Sequence, residues 1–403
     1  MGKQETFGSK TGGTKAGPVL VLADGPSISP LRQDKTVSTA AVGPWRLIAG
    51  KFFRQKVAVT AGIIILILYL ISLFAEFLAP ALPDTSRPQY TYAPPQGLSF
   101  FTAKPDGSSE FNFHVKGYTI AIDKVALRRT FVVDDKKVVP VGFFVKGPAY
   151  KLWGLIPMNR HLIGPINPND PMYLLGADRL GRDVFSRLIY GTRVSMSIGL
   201  VGVAVSLFLG ILLGGLSGYF GGAVDTIIQR IIEFLRSVPT IPLWMGMAAA
   251  VPLNWPPLRT YFVITLIVSL IGWTSLAREV RGKFLSLRNE DFVTAARLDG
   301  MSEIGIIFHH LVPSFTSHII ATLTLAIPSM ILAETALSFL GIGLQPPIIS
   351  WGVLLQEAQN IRAVAQAPWL LFTPAAAIVI SVLSLNFLGD GLRDAADPYE
   401  SVS

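Results

Sequence analysis

The chain has 403 residues, of which 51% are hydrophobic and 15% are charged, and its mean hydropathy is +0.50. Soluble globular domains carry about 25% charged residues, so this composition excludes an ordinary soluble protein. The lack of cysteine excludes disulfides, thiolate metal sites and a cysteine nucleophile. The formal net charge of +8 is scattered without a basic stripe, which indicates cytoplasmic segments of a membrane protein rather than a nucleic-acid surface.

Residues 1–45 are rich in Gly, Ser, Thr and Pro and predict a disordered cytoplasmic tail. Within this tail, Gly8–Lys15 lacks the Gly-Lys-Ser/Thr ending of a phosphate loop, so no means of hydrolysing ATP is visible there. The first long apolar run begins near Val57, too late for a signal peptide. We therefore expect residues 46–81 to hold a retained first transmembrane helix.

Six stretches approach the roughly 20 apolar residues that a membrane-spanning helix needs. They are Val57–Ala79, Val194–Phe220, Ile227–Val251, Tyr261–Ala277, Ser317–Gly341 and Trp369–Gly389. The third stretch contains Pro239 and Pro242, which membrane helices tolerate. The sequence thus predicts an all-α polytopic membrane protein with six transmembrane helices.

Lysine and arginine accumulate before the first predicted helix and between the fourth and fifth. Because positive charge marks cytoplasmic segments, we expect both termini and the fourth-to-fifth connection to lie in the cytoplasm. Four arginines oppose this arrangement, since they precede the second helix on the outer side: Arg179, Arg182, Arg187 and Arg193.

Residues 82–172, between the first two helices, are the candidate for a second folded unit. Phe111, Phe113 and Val115 alternate with polar residues, and two β-prone runs flank Asp134–Lys137, which predicts a hairpin turn there. We expect a small β-rich external insert that shapes an outer vestibule or a docking surface. It lacks a cluster of histidines and acids, so a membrane-anchored enzyme or receptor is the less supported interpretation.

Three charged residues are candidates for a gate or a substrate path. Arg182 and Asp183 lie just before the second helix, where an amphipathic interfacial helix is the alternative. Glu334 lies late in the fifth helix; an intramembrane acid is a functional candidate, although near the interface it can simply be hydrated. Arg393, Asp394 and Asp397 read as a solvated helix end. The histidine and acid spacing predicts no metal site.

The connection 285–313, between the fourth and fifth helices, predicts a helix–glycine–helix elbow. Asn289–Asp291 suit a helix start, and Gly300 suits the left-handed position just past a helix end. The small side chains of Ala295 and Ala296 would let another protein approach closely. Periodicity alone leaves open an amphipathic connector that lies on the membrane.

The sequence FVTAARLDGMSEIGIIFHHLVPS in this connection resembles the Glu-Ala-Ala loop of permeases of binding-protein-dependent ATP-binding cassette (ABC) transporters. Four residues fall in register with the family pattern: Ala295, Ala296, Gly300 and Pro313. Three positions depart from it, since Thr294, His310 and Val312 replace its Glu, Ile and Leu. The resemblance implies that this elbow docks in a cleft of an ATPase subunit and transmits its movement, while Thr294 puts the family's ion pair in doubt.

Other stretches resemble the dipeptide/oligopeptide/nickel permease group, in particular its C-type peptide permease subunit. They are LLGADRLGRDVFSRLIYGTRVSMSIG (174–199), ETALSFLGIGLQPPIISWG (334–352) and NFLGDGLRDAADP (386–398). This resemblance implies a type I importer permease with a five-helix core over residues 173–398, in the inner membrane of a bacterium.

The same resemblance implies a transport subunit without catalysis or cofactor of its own. Its partners would be a homologous permease subunit, two cytoplasmic ATP-binding subunits, an external solute-binding protein and membrane lipids, with no nucleic acid. Peptides are the expected cargo, with oligosaccharides or nickel chelates as alternatives. An ion-driven secondary transporter is the alternative of a different class, although that class favours midplane acids and inverted repeats, which the sequence does not display.

Overall fold

The computed structural model describes residues 44–103, 109–123, 128–252, 254–360 and 365–396, and those from Trp45 onward belong to one compact unit. The predicted tail, apart from its last two residues, lies outside these ranges, as does Asp397.

Helices make up most of the described chain. In chain order they are α1 (Pro44–Arg54), α2 (Lys56–Leu73), α3 (Ala75–Leu78), α4 (Val184–Phe220), α5 (Gly222–Ser237), α6 (Thr240–Ala249), α7 (Pro257–Leu287), α8 (Asp291–Leu298), α9 (Glu303–Ile306), α10 (Val312–Ser314), α11 (Thr316–Phe339), α12 (Trp351–Glu357) and α13 (Trp369–Ala396). A 3₁₀ turn covers Pro88–Tyr90 and a π-helical turn covers Ile307–Leu311. Within the described residues, five of these helices are long and apolar enough to cross a membrane: α2, α4, α7, α11 and α13.

The predicted third span, Ile227–Val251, is not one helix. α5 ends at Ser237, Val238 is extended (φ −86°, ψ 131°), and α6 begins at Thr240. Pro239 causes the break, because a proline excludes the helical conformation from the residue before it and has no amide to donate. With 10 residues, α6 is about 15 Å long, half of the roughly 30 Å hydrocarbon layer.

A stripe of glycines brings α4 against α7. A Cβ atom at Gly214 would lie 2.5 Å from the carbonyl oxygen of Ala277, and one at Gly218 would lie 2.7 Å from that of Arg281. Gly210, one turn earlier, faces the Leu276 side chain at 2.8 Å. Small residues at four-residue spacing let membrane helices approach closely, so α4 and α7 form one tightly packed pair.

The insert contains an antiparallel meander in the order β1-β2-β3-β4, formed by β1 (Leu98–Ala103), β2 (Ser109–Asp123), β3 (Arg128–Leu152) and β4 (Ile156–Pro165). The predicted strand through Phe111–Val115 lies in β2. Phe113 stacks between Phe100 and Phe143, with ring centroids 5.3 and 5.4 Å away.

The hairpin turn predicted at Asp134–Lys137 is wrong, because β3 continues through these residues. Gly117 pairs with Asp134 while its neighbour Lys116 pairs with Val138, so the intervening residues of β3 form a bulge. Gly117 makes room for it, since a Cβ atom there would lie 2.8 Å from the Lys137 Cβ. β2 and β3 pair as far as Asp123 and Arg128, and residues 124–127 lie outside the described ranges.

Candidate functional site

The predicted elbow follows α7 and consists of two short helices that meet at a glycine. Gly300 has φ of +76°, the left-handed value expected just past a helix end, and its amide donates to the Arg297 carbonyl at 3.1 Å. Ser302 then caps α9 by accepting from the Gly305 amide at 3.2 Å. Beyond α9, His310 lies half-buried in the π-helical turn, and Pro313 is exposed in α10.

One side of the elbow packs on the protein and the other is free. Val293 and Ala296 are buried, whereas Thr294 and Ala295 on the same helix are exposed. The free side also carries apolar side chains: Leu298 (83% exposed), Ile304 (63%), Phe308 (45%), Phe292 (40%) and Met301 (38%). Exposed apolar side chains concentrated in one short segment are typical of a docking site.

Tyr219, near the carboxyl end of α4, holds both limbs of the elbow, α8 and α9. We call Tyr219 the mount of the elbow. Arg297 on α8 donates from Nη2 to the Tyr219 hydroxyl at 3.0 Å, and its guanidinium lies 5.5 Å from the ring centre. The same hydroxyl donates to the carboxylate of Glu303 on α9. Both helices of the elbow are therefore hydrogen-bonded to one side chain of α4.

A half-buried ion pair joins α5 to α7 close to Tyr219. Arg281 on α7 donates from Nε and Nη2 to the two carboxylate oxygens of Asp225, both at 2.6 Å, and Ser217 on α4 donates to Asp225 at 2.5 Å. The bond from Arg281 lowers the pKa of Asp225 below its usual range. The carboxyl end of α4, α5, α7 and the elbow are therefore tied together by charged hydrogen bonds.

At the opposite end of α4, two arginines lie between two carboxylates. Arg187 Nη1 is 2.7 Å from Asp178 Oδ2 and 2.5 Å from Glu357 Oε2, and Arg182 contacts the same two acids at 2.7 and 3.1 Å. Burial opposes ionisation of Glu357, but Arg187 and Arg182 outweigh it and lower its pKa. This neutral four-residue cluster joins α12 to the start of α4.

Asp183, next to Arg182 in sequence, serves a different network. Its carboxylate accepts from the Phe185 amide at 3.3 Å and from the Ser186 amide and hydroxyl at 2.8 and 2.6 Å, which caps α4. Burial raises the pKa of Asp183 to about 6 despite these bonds. In this structure Arg182 is an ion-pair partner and Asp183 a helix cap, so their role in a gate stays a prediction.

Glu334 lies in α11 and is fully buried in protein rather than hydrated. Its Oε1 accepts from the hydroxyls of Ser338 and Ser350 at 2.8 and 2.7 Å, while Oε2 has no hydrogen-bond partner among the described residues. Ser350 in turn caps α12 by accepting from the Val353 amide at 3.2 Å. The seven-residue α12 therefore links Glu334 on α11 with the charge cluster on α4.

A further ion pair joins α4 to α3 and to the end of α2. Arg193 donates to both Glu76 carboxylate oxygens at 2.5 Å and to the Ser72 carbonyl at 2.8 Å. Burial favours the neutral form of Glu76, yet Arg193 lowers its pKa below the usual value. Of the four arginines that oppose the positive-inside rule, Arg182, Arg187 and Arg193 are thus neutralised by carboxylates, and Arg179 is exposed.

Sequence reasoning identified the elbow but missed its mount and these ionic partners. Tyr219, Glu357 and Glu76 carry no local motif, and they meet their partners only through the fold. Among the described residues, no group of three or more histidines and acids could hold a metal ion.

Two family descriptions match the chain. Residues 207–400 match the "binding-protein-dependent transport system inner membrane component", and residues 43–95 match the "N-terminal TM domain of oligopeptide transport permease C".

Several curated proteins are similar to the chain. A glutathione transport system permease protein of Pectobacterium atrosepticum is 31% identical over 369 residues, covering 92% of this chain and 94% of that protein. An oligopeptide transport permease of Bacillus subtilis is 35% identical over 59% of this chain and 75% of its own length. A dipeptide transport permease of Alkalihalophilus pseudofirmus is 38% identical over 60% of this chain and 75% of its own length. Among solved structures, a chain of the inward-facing MetNI methionine ABC transporter covers 52% of this chain and 97% of its own at 17% identity and a TM-score of 0.41.

Proposed function

This chain belongs to the family of binding-protein-dependent transport system inner membrane components, and we propose that it is the permease subunit of an ATP-driven ABC importer of peptides. It is a multi-pass membrane protein that forms half of the translocation path, and a homologous permease subunit forms the other half. Two ATP-binding subunits engage it in the cytoplasm, and an external solute-binding protein delivers the cargo.

The observation that carries this proposal is the elbow. Its outward face presents Ala295 and the apolar Leu298, and its inward face is tied by Tyr219 to α4. A surface that is exposed, apolar and rigidly mounted suits a partner that pushes on it. The sequence carries no complete phosphate loop, so hydrolysis of ATP belongs to that partner.

Peptide cargo is supported by the names of the relatives. The proteins described above are permeases for glutathione, oligopeptides and dipeptides, and these cargoes share a peptide backbone with charged ends.

We extend the proposal to six crossings with both termini in the cytoplasm. The α5–α6 pair supplies the third crossing with a break at Pro239. In support of it, Ile227, Ile231 and Phe234 of α5 are exposed at 61%, 48% and 69%, as expected of a helix that faces lipid or the second permease.

Transport in this proposal is alternating access. Closure of the ATP-binding subunits moves the elbow, Tyr219 passes the movement to α4, and the close packing of α4 on α7 makes the two helices rock together. At the far end of α4, the cluster around Arg187 transmits the movement to α12. Arg182, Asp183 and Glu334 thereby act on the gate through the elements that they hold.

The test is ATP-dependent uptake of a labelled dipeptide and a labelled tripeptide in the native host. A tagged copy carrying Ala295→Arg should insert in the membrane but lose both co-purifying ATPase activity and uptake. Ala121→Arg, at an exposed position of β2, is the matched control and should retain both. Full ATPase recovery with Ala295→Arg would contradict the coupling role of the elbow.

A further inference from the structure

The tip of the β3–β4 hairpin has an unusual composition. Trp153 and Gly154 occupy its two central positions with φ of +54° and +73°, and the Leu155 amide donates to the Leu152 carbonyl at 3.0 Å. Tight hairpin turns of this kind favour Asn-Gly or Asp-Gly, because a bulky residue is strained in the left-handed region. A tryptophan at this position calls for an explanation other than turn formation.

The tip is also apolar and exposed. Trp153, Leu155 and Ile156 have 45%, 78% and 47% of their surface exposed. Lys151, two residues before Trp153, is exposed as well, so a cation lies close to the apolar tip. In water an apolar tip adds no stability compared with a polar one. At a lipid surface it buries apolar area and offers a cation to phosphate groups.

The β3–β4 hairpin packs along α3 toward the end of α2. Far from the tip, His161 of β4 donates from Nδ1 to the Ala79 carbonyl at 2.5 Å. At the same level of the hairpin, where Val145 pairs with His161, the ring of Phe144, itself left-handed at φ +55°, lies 5.9 Å from that of Phe77.

At the tip itself, the Trp153 ring lies 6.0 Å from the ring of Phe74, and its Nε1 donates to the Leu73 carbonyl at 2.7 Å. Leu73 is the last residue of α2, a helix long and apolar enough to span a membrane. Far from its tip the hairpin thus contacts residues 77 and 79, and at its tip it contacts residues 73 and 74, so the tip lies on the side of α2 and points toward the hydrocarbon layer.

We propose that the Trp153–Ile156 tip inserts into the lipid headgroup and upper acyl region of the bilayer at the carboxyl end of α2. Tryptophan is enriched at this depth because its ring is apolar and its N–H needs an acceptor, which the Leu73 carbonyl supplies. Leu155 lies beyond it and enters the acyl region. The tip anchors the insert to the membrane, and this role rests on α2 crossing the bilayer, not on the cargo or the ATP-binding subunits.

The test uses the absence of cysteine from the chain. A fluorescent NBD group is attached to Leu155→Cys in the full-length protein, reconstituted in nanodiscs of phosphatidylcholine and phosphatidylglycerol. Ile122→Cys is the matched control, since Ile122 is 68% exposed and pairs with Arg129 near the opposite end of β3. Emission maximum, quenching by doxyl-labelled lipid and quenching by aqueous iodide are measured for both.

We expect the label that replaces Leu155 to emit at shorter wavelength, to lose emission with doxyl lipid and to resist iodide, while the control label shows the reverse. Equal iodide quenching at both positions would overturn the proposal. Protection at position 155 from both iodide and doxyl lipid would overturn it too, because a protein surface would then cover the tip. Loss of peptide uptake in either variant leaves this readout unaffected, so a failure of the proposed function remains distinguishable.

Discussion

The hydroxyl of Tyr219 donates to the carboxylate of Glu303, which joins the end of α4 to the second limb of the elbow. Arg297 from the first limb donates to the same hydroxyl. The two limbs carry opposite charges toward one neutral atom, so the elbow is held without a net charge in the mount.

Tyr219→Phe should keep the fold and weaken coupling. The ring, which belongs to the apolar cluster around Phe284, remains, and only the shared hydroxyl is lost, at a cost of about 1 kcal/mol in stability. We expect normal association with the ATP-binding subunits but more ATP hydrolysed per peptide imported. The ratio is measured in proteoliposomes, with Tyr92→Phe in the insert as the control; an unchanged ratio would show that Tyr219 does not transmit the movement.

Leu298→Asp and Val293→Asp should separate docking from folding on the same helix. Leu298 is 83% exposed, so an aspartate there should leave the melting temperature unchanged and reduce co-purifying ATPase activity. Val293 is fully buried, and a carboxylate there should destabilise the protein by about 3 kcal/mol or more. Thermal unfolding in detergent and ATPase recovery are measured together. If Leu298→Asp keeps full ATPase activity, the partner uses another surface.

Glu357→Gln should destabilise the structure because it leaves two buried arginines with one carboxylate. Loss of one partner of a buried pair costs on the order of 3 kcal/mol, seen as a lower melting temperature. The double variant Arg182→Gln/Glu357→Gln restores neutrality, with Arg187 still 2.7 Å from Asp178, and should recover part of the loss. A double variant no more stable than Glu357→Gln alone would contradict the neutral-cluster interpretation.

Asp183 should make stability depend on pH near neutrality. Its pKa in the folded protein is about 6, against about 3.9 for an unperturbed aspartate. The folded state therefore binds more protons than the unfolded state between these values, and stability rises as pH falls from 7 to 5, by about 1 kcal/mol.

Asp183→Asn isolates this contribution, because asparagine also caps helices. Relative to this variant, the unmodified protein should gain stability as the pH is lowered from 7 to 5, measured by thermal unfolding in detergent. Glu76, Asp225 and Glu357, whose pKa values are lowered, contribute their changes at more acidic pH. A difference that is constant from pH 7 to pH 5 would refute the prediction.

Gly214→Ala should push α4 away from α7. The new Cβ would lie 2.5 Å from the Ala277 carbonyl oxygen, a backbone atom that cannot rotate away, so a loss of about 1–3 kcal/mol is expected. Gly282→Ala in α7 is the matched control, since nothing lies within 4 Å of its Cβ position. This control should gain up to about 1 kcal/mol from helix propensity. Equal effects of both substitutions on the melting temperature would show that the helix contact is loose.

Local features were predictable from the sequence where a short pattern determines them. The five long apolar helices and the glycine turn at Gly300 follow from hydropathy and backbone preference. Pro239 was recognised in the sequence as a possible disturbance of the third span, but a single helix was still predicted there. Asp134–Lys137 has turn-like composition, yet the bulge opposite Gly117 absorbs these residues within a strand, because pairing along β2 continues on both sides of it.

The charged contacts could not be predicted from local sequence patterns, because their partners are far apart in the chain. Arg182 meets Glu357 across 175 positions and Arg193 meets Glu76 across 117, and no spacing rule connects such residues. Thr294, where the family has a glutamate, is exposed on α8. The elbow of this chain instead places Glu303 and Arg297 on Tyr219, so its mount does not depend on an acid at position 294.

The Glu76–Arg193 pair also imposes an order on biosynthesis. The two residues are 117 positions apart, so a ribosome adding 5–20 residues per second produces Arg193 roughly 6–23 s after Glu76. Trp153, which contacts the same end of the first helix, emerges within that interval. The insert therefore has time to settle on this end of α2 before Arg193 is made and the ion pair can close.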